Sequence, residues 1–250
     1  MSQKKRIVVV GATSAIAEQC ARRWATELPC EMVLVGRSLE KLEIIAADLR
    51  VRNPKASIDT IEADFFDPVK INFLVDGICG AGSVDIVLIA HGSLPIQRDC
   101  QDDLYVCHQA LEVNAISPVL FAEAFVAHME KAGHGTLALI GSVAGDRGRK
   151  SNYVYGSAKG LVARYAQGLQ HRLASTAVKV VLVKPGPTDT PMTSHLKAKG
   201  ARLADVGHVA SLIVQGVKMG KPVVYAPKKW RLIMSVIVHM PWVIFKKMDV

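Results

Sequence analysis

Short, mostly apolar runs of strand length recur along the chain at residues 7–10, 32–35, 58–61, 86–90, 137–140, 178–183 and 223–225. Runs of this length without polar alternation predict strands buried on both faces. Between them, apolar positions recur at helical spacing over 15–27, 39–50, 118–131, 153–174 and 206–219. In 39–50, for example, Leu42, Ile45, Ala46 and Leu49 share one face, and Asn53-Pro54 ends the run. Parallel neighbours need long crossover connections, which these segments supply. The alternation predicts an α/β protein: a single doubly wound parallel seven-stranded sheet with helices on both faces. No repeat, low-complexity tract or linker divides it. Residues 1–227 therefore read as one domain, and 228–250 as a basic, apolar C-terminal tail.

Composition narrows the partners. Half of the 250 residues are hydrophobic, 21% are charged and mean hydropathy is +0.23, enough apolar material to bury such a sheet and too much for a disordered chain. A formal net charge of +9 suits nucleic acid, anionic lipid or a phosphorylated ligand. Aromatic residues are few and do not interleave with the basic ones, so no nucleic-acid partner is expected. Cys20, Cys30, Cys79, Cys100 and Cys107 are odd in number and never spaced C-x-x-C, which predicts free thiols and no metal site. Lys4, Lys5 and Arg6 precede an apolar run too short for a signal peptide, so the expected location is the cytoplasm.

The first strand runs into Gly11-Ala12-Thr13-Ser14-Ala15-Ile16-Ala17 and then a helix. Small residues at such a turn let a pyrophosphate approach backbone N–H groups and the positive helix end, the Rossmann-type arrangement. Ala15 and Ala17 stand where glycines are usual, and a tight turn without a ligand is the other reading of this segment. Gly36-Arg37-Ser38 ends the second strand with an arginine and a hydroxyl, where an NAD site generally has an acid. This favours NADP over NAD, against a merely solvated arginine. Asp64 after the third strand is placed either to accept from an adenine amine or to cap a turn.

Tyr155-Gly156-Ser157-Ala158-Lys159 puts a phenol and an ammonium one helical turn apart, and Ser142 lies at the end of the fifth strand. An ammonium and a cationic nicotinamide would stabilise the phenolate, so that the pair exchanges a proton with a substrate oxygen that Ser142 also bonds. A surface Tyr–Lys pair is the other reading of that spacing.

With Ala90-His91-Gly92, Val113-Asn114-Ala115, Lys184-Pro185-Gly186 and Thr188-Asp189-Thr190-Pro191-Met192, the chain resembles the short-chain dehydrogenase/reductase family through about Ala226. The resemblance implies a tetrad of Asn114, Ser142, Tyr155 and Lys159, with Asn114 holding a water that links Lys159 to solvent. It implies cofactor contacts from Gly11, Ser14, Ile16, Arg37, Ser38, Asp64, Ala90 and Gly92, and from Pro185, Gly186, Thr188 and Thr190 beside the nicotinamide. It also implies a homo-oligomer built through the long helices. Ala15, Ala17 and His91 depart from the family pattern; His91 reads as a neutral histidine beside the cofactor or as a relay.

Arg147, Arg149 and Lys150, with Lys197, Lys199 and Arg202, are expected around the mouth of the site, either to draw an anionic substrate or as ordinary solvated charge. The tail opens with Lys228-Lys229-Trp230-Arg231 and closes with Lys246-Lys247 around a broken apolar stretch too short to span a bilayer. It suits an in-plane interfacial helix, a subunit contact or a cover over the substrate pocket. Gly145-Asp146-Arg147-Gly148-Arg149, the Asn152–Lys159 segment and the tail are similar to reductases that partner decaprenylphosphoryl-ribose 2-epimerases. That resemblance implies a polyprenyl-phosphate-linked 2-keto pentose, a flavin-dependent oxidase as partner and a place on the inner face of the cell membrane. The alternatives are a reductase of a soluble ketone, steroid or acyl substrate, and a non-catalytic cofactor-binding regulatory module.

Overall fold

The computed structural model describes residues 4–198 and 200–248. In chain order they form β1 (Lys5–Val10), α1 (Ala15–Glu27), β2 (Cys30–Gly36), α2 (Leu39–Arg52), β3 (Ser57–Glu62), α3 (Pro68–Gly80) and β4 (Ile86–Ile89). There follow α4 (Gln97–Asp102), α5 (Leu104–Leu111), a π turn (Glu112–Ile116), α6 (Ser117–Ala132), β5 (Thr136–Ile140), a 3-10 turn (Val143–Gly145) and α7 (Tyr153–Arg172). The chain then runs through β6 (Lys179–Pro185), a 3-10 turn (Pro191–Thr193), α8 (Ser194–Ala198), α9 (Val206–Lys218), β7 (Val223–Ala226), α10 (Lys229–His239) and α11 (Trp242–Phe245).

All seven strands pair in parallel, in the order β3-β2-β1-β4-β5-β6-β7. The order reverses between β1 and β4, and the carboxyl ends of those two strands mark where a doubly wound sheet opens a crevice. Alternate β1 residues divide the core: Ile7 and Val9 meet α1, α2 and α9, whereas Val8 and Val10 meet α3, α6 and α7. Trp24, Leu42, Leu49 and Ile213 fill the first face, and Val75, Phe121, Phe125 and Val162 the second. Each is at least 98% buried, and truncating Trp24, Phe121 or Phe125 to alanine would cost about 3–5 kcal/mol.

Several elements differ from the sequence reading: β3, expected to be buried on both faces, is an edge strand in which only Ile58 is fully buried, and α4 and α8 have no counterpart in the periodicity. Periodicity gave no helix at 68–80, yet Asp67 caps one there by accepting from the amides of Val69 and Lys70, with Pro68 in its first turn. The helix expected at 118–131 is the end of a continuous helical run over Leu104–Ala132. That run is long and apolar enough to cross a membrane, but half of its most apolar window is buried in the protein, the position of a core helix. The tail folds back on the domain, with Met234, Ile237 and Phe245 buried against Val143 and Tyr225.

Candidate active site

At the end of β1 the chain turns at Gly11, whose φ of +78° favours glycine; a Cβ there would lie 2.6 Å from the backbone nitrogen of His91. The turn leads into α1, whose first-turn amides receive no side-chain cap from Ser14. Gly11, Thr13, Ser14, Ala15, Ile16 and Arg37 line one cleft of about 260 Å³. Arg37 is exposed and makes no ion pair among the described residues. The two alanines that depart from the family pattern have different fates. Ala15 lines this cleft, whereas Ala17 is fully buried in the core and leaves the cleft untouched.

The adjoining cleft, about 150 Å³, shares Ser14, Ile16, His91, Gly92, Thr190 and Met192 with the first. Ala90, Asn114, Ser142, Tyr155, Lys159, Pro185, Gly186 and Thr188 also line it. Two glycines allow this convergence. A Cβ at Gly145 would come 2.6–2.8 Å from the Lys159 and Gly160 backbone, and one at Gly156 would come 2.9 Å from the Ala144 carbonyl. Without side chains there, the turn after β5 sits directly on α7 and carries Ser142 to Tyr155. Asn114 lies wholly buried in the π turn, where it accepts from the Ser93 amide at 3.0 Å and donates to the Ala110 carbonyl at 2.8 Å. Gly92 packs so closely on this asparagine that a Cβ would stand 2.7 Å from its Oδ1.

Lys159 lies over the Tyr155 ring, 5.8 Å from its centroid, so the pair converges as its spacing implies. Burial governs the electrostatics of both groups. Burial pushes the Tyr155 phenol above its ordinary value, and the counteracting interaction is the hydrogen bond with Ser142. The Lys159 ammonium is engaged elsewhere, donating to the Ile140 carbonyl at 3.1 Å, and burial lowers its pKa to about 8. The phenol is thus held protonated, as a proton donor must be before it acts. His91 is neutral: burial, then the charges of Lys159 and Arg37, lower its pKa to about 3. Its Nε2 bonds Ser117 Oγ at 2.9 Å, its ring meets Phe65 edge-on at 4.7 Å, and its Nδ1 is shut away without a partner.

Several expected site residues lie elsewhere. Ser38 caps α2 by accepting from the Lys41 amide, and Asp64 accepts from the Phe66 amide and Lys70, outside both clefts. Lys197 is ion-paired with Asp189 on the surface. Arg147 is turned away from the site: it donates to the carbonyls of Ile237 and Met240 and lies 3.8 Å from the Phe245 ring centre. Arg149 does line the catalytic cleft, half-buried, with its Nε unpartnered and its pKa lowered by burial. Lys199 lies outside the described residues.

Sequence reasoning passed over Asn152, Thr13 and Phe65. Asn152 occupies the cap position of α7 without capping it; it lines the cleft, and its buried Oδ1 has no hydrogen-bond partner among the described residues. Its type and position signal a cap, which hides the other use. Behind Ser142, a buried pair formed by Lys184 and Asp146 receives the Tyr225 hydroxyl at 2.9 Å, tying the Ser142 turn to β6 and β7. Burial, reinforced by Asp146, lifts that phenol to about 12. The Trp230 indole closes the same wall, filling the space that a side chain at Gly186 would need.

Residues 5–201 match the family model described as short chain dehydrogenase. The chain is 31% identical over 247 residues to an uncharacterized oxidoreductase of Streptomyces coelicolor, covering 98% of this chain and 96% of that one. Among solved structures, a short chain dehydrogenase from Burkholderia cenocepacia in complex with NADP superposes with a TM-score of 0.83 at 17% identity, covering 98% of this chain and 97% of that one. A short-chain dehydrogenase from Sphingobium yanoikuyae in complex with NADPH gives 0.80 at 20% identity, covering 95% and 97%. At those identities the two structures bear on the fold.

Proposed function

The chain belongs to the short-chain dehydrogenase family, and from that premise we propose that it is an NADP(H)-dependent oxidoreductase that reduces a ketone to an alcohol. The observation that carries this reading is the meeting of Ser142, Tyr155 and Lys159 in a cleft continuous with the β1–α1 turn. The cleft suits a dinucleotide: Gly11 lets the chain turn tightly against the His91 backbone at the end of β1, Ser14 leaves the α1 amides uncapped, and Arg37, without an ion pair among the described residues, is free to meet a 2′-phosphate. Ser14, Ile16 and Ala90 would complete its walls, with Pro185, Gly186, Thr188 and Thr190 beside the nicotinamide.

When bound, NADPH supplies the hydride. Tyr155 gives its phenolic proton to the carbonyl oxygen, Ser142 bonds the same oxygen, and the alcohol leaves. The Lys159 ammonium stabilises the phenolate left behind, which takes its next proton from solvent. Asn114 holds the floor of the site rigid through its two backbone partners.

The substrate reading is supported by Arg149 and Asn152, polar residues that line the catalytic cleft and whose Nε and Oδ1 are buried without a hydrogen-bond partner among the described residues. They suit a ketone that carries an anion and hydroxyls, and a polyprenyl-phosphate-linked 2-keto pentose made by a flavin-dependent oxidase has that chemistry. A soluble ketone, steroid or acyl substrate is the second reading, favoured by the apolar Leu94, Met192 and Leu196 that also line the cleft. Leu104, Tyr105, Leu111, Ile116 and Leu161, all exposed on the α5–α7 side, support a homo-oligomer.

The test is NADPH oxidation with a synthetic 2-keto polyprenyl-phosphate pentose beside an uncharged cyclic ketone. The expected result is faster turnover of the anionic ketone, reduced ten- to one-hundredfold by Arg149→Gln, about the worth of a charge-assisted hydrogen bond. Equal turnover of both ketones with no effect of Arg149→Gln would remove the anionic substrate, and absence of NADPH oxidation with either would remove the reductase.

A further inference from the structure

The tail has two faces with different surroundings. On the inner face Met234, Ile237 and Phe245 are buried, Trp230 sits against Gly186, and Arg147 bonds the carbonyls that end α10. On the outer face Leu232, Val236, Trp242, Val243 and Ile244 are each more than half exposed. Leu232 and Val236 lie one helical turn apart and form a single stripe on α10, and Trp242, Val243 and Ile244 add exposed apolar side chains on α11, which follows it in the chain. Because the inner face is fixed by packing and by Arg147, the outer face is presented preformed.

The charge around that stripe is of one sign. Lys228, Lys229, Arg231, Lys246 and Lys247 are exposed and make no ion pair among the described residues, and residues 227–248 contain no aspartate or glutamate. Between β7 and the end of α9, a groove of about 700 Å³ adds Lys221 beside Lys228 and Arg231. Asp146, which lines a neighbouring pocket with Arg231, is already neutralised by Lys184. A symmetry-related copy seated here would set these cations against its own, with no acid among the described residues of either strip to relieve them. A surface with apolar depth below a layer of negative charge satisfies both features.

We propose that α10 and α11 form a docking surface for an anionic lipid bilayer. Leu232, Val236, Trp242, Val243 and Ile244 enter the acyl boundary, and the five flanking cations, with Lys221, meet the headgroups. This rests on the tail alone and holds whichever ketone is reduced.

The experiment is flotation of the full chain with vesicles of phosphatidylcholine, or of phosphatidylcholine mixed with phosphatidylglycerol. It compares the wild type with an apolar variant (Leu232→Ser, Val236→Ser, Trp242→Ser, Ile244→Ser) and a charge variant (Lys228→Gln, Lys229→Gln, Arg231→Gln, Lys246→Gln, Lys247→Gln). All these side chains are exposed, and NADPH binding and thermal unfolding check that each variant is folded. The wild type is expected to float with the mixed vesicles, less with neutral ones, and less at high salt. Each cation removed should weaken binding about fivefold, and the apolar variant more than tenfold. Flotation unchanged in both variants, or a folded wild type that never floats, would overturn the proposal. So would a wild-type dimer that ignores vesicles and that the apolar variant splits into monomers, since a second copy would then be what covers the face.

Discussion

The two sides of the cleft treat their polar groups in opposite ways. Around the β1–α1 turn, Arg37 makes no ion pair among the described residues, Ser14 caps nothing and His91 Nδ1 has no partner. Behind Ser142, Lys184, Asp146, Tyr225 and Arg147 are joined to one another or to the tail. Arg147 and Arg149 show the contrast at a separation of two residues: the first is bonded to the end of α10, and the second lines the cleft with its buried Nε unpaired among the described residues. Buried polar atoms carry a large penalty when unpaired, so the unpaired ones on residues that line the cleft are candidates for a ligand's partners, whereas the paired ones hold the scaffold still.

The comparison is broken most severely from the paired side. Lys184→Met leaves Asp146 buried without its counter-ion and should lower unfolding stability by about 3–5 kcal/mol, measured by urea denaturation. A loss below about 1 kcal/mol would mean that the pair is not a brace. On the open side, Arg37→Ala should leave stability unchanged and raise the Kd for NADPH about ten- to one-hundredfold while NADH is unaffected. Equal effects on both nucleotides would show that the arginine does not read the 2′-phosphate.

His91 belongs to both sides, and pH separates its roles. Its folded pKa of about 3 lies below the ordinary value of 6.5, so below pH 6.5 the unfolded chain takes a proton that the folded chain refuses. Stability should therefore fall as the pH drops from 6.5 towards 3, by about 2 kcal/mol at pH 5 from this group alone. His91→Asn should lose that increment, read as a shallower acid limb in denaturation midpoints; an unaltered limb would show that the imidazole is not sealed off. The smallest effect concerns Lys159. Because its pKa lies near 8, reduction should slow on the alkaline side of about pH 8 as the ammonium that stabilises the phenolate is lost. A rate level through pH 10 would exclude that role.

The open side was largely legible in the sequence, and the paired side was not. Gly11, Arg37, Tyr155 and Lys159 stand in local patterns, at a turn, a strand end or one helical turn apart, where spacing fixes proximity. The strands were legible for a related reason, since continuous apolar runs admit few placements. Lys184 and Asp146 meet across 38 residues, and Arg147 meets the Met240 carbonyl across 93, so nothing local announces either contact. Arg147 thus read as part of a substrate rim until the tail was seen to claim it. Helix α3 escaped because Gly77, Gly80 and its several β-branched residues blur the helical period, although Asp67-Pro68 marked its start. Tyr155 shows the limit most plainly: spacing placed Lys159 beside it, but spacing could not reveal the Ile140 carbonyl that holds the ammonium.

The central claim is that the Tyr155 phenol delivers the proton. Single-turnover reduction by Tyr155→Phe, with NADPH binding measured in the same preparation, tests it directly. Hydride transfer should fall by about 10²–10⁴ with the Kd for NADPH unchanged, and a Tyr155→Phe enzyme that reduces its ketone at the wild-type rate would contradict it.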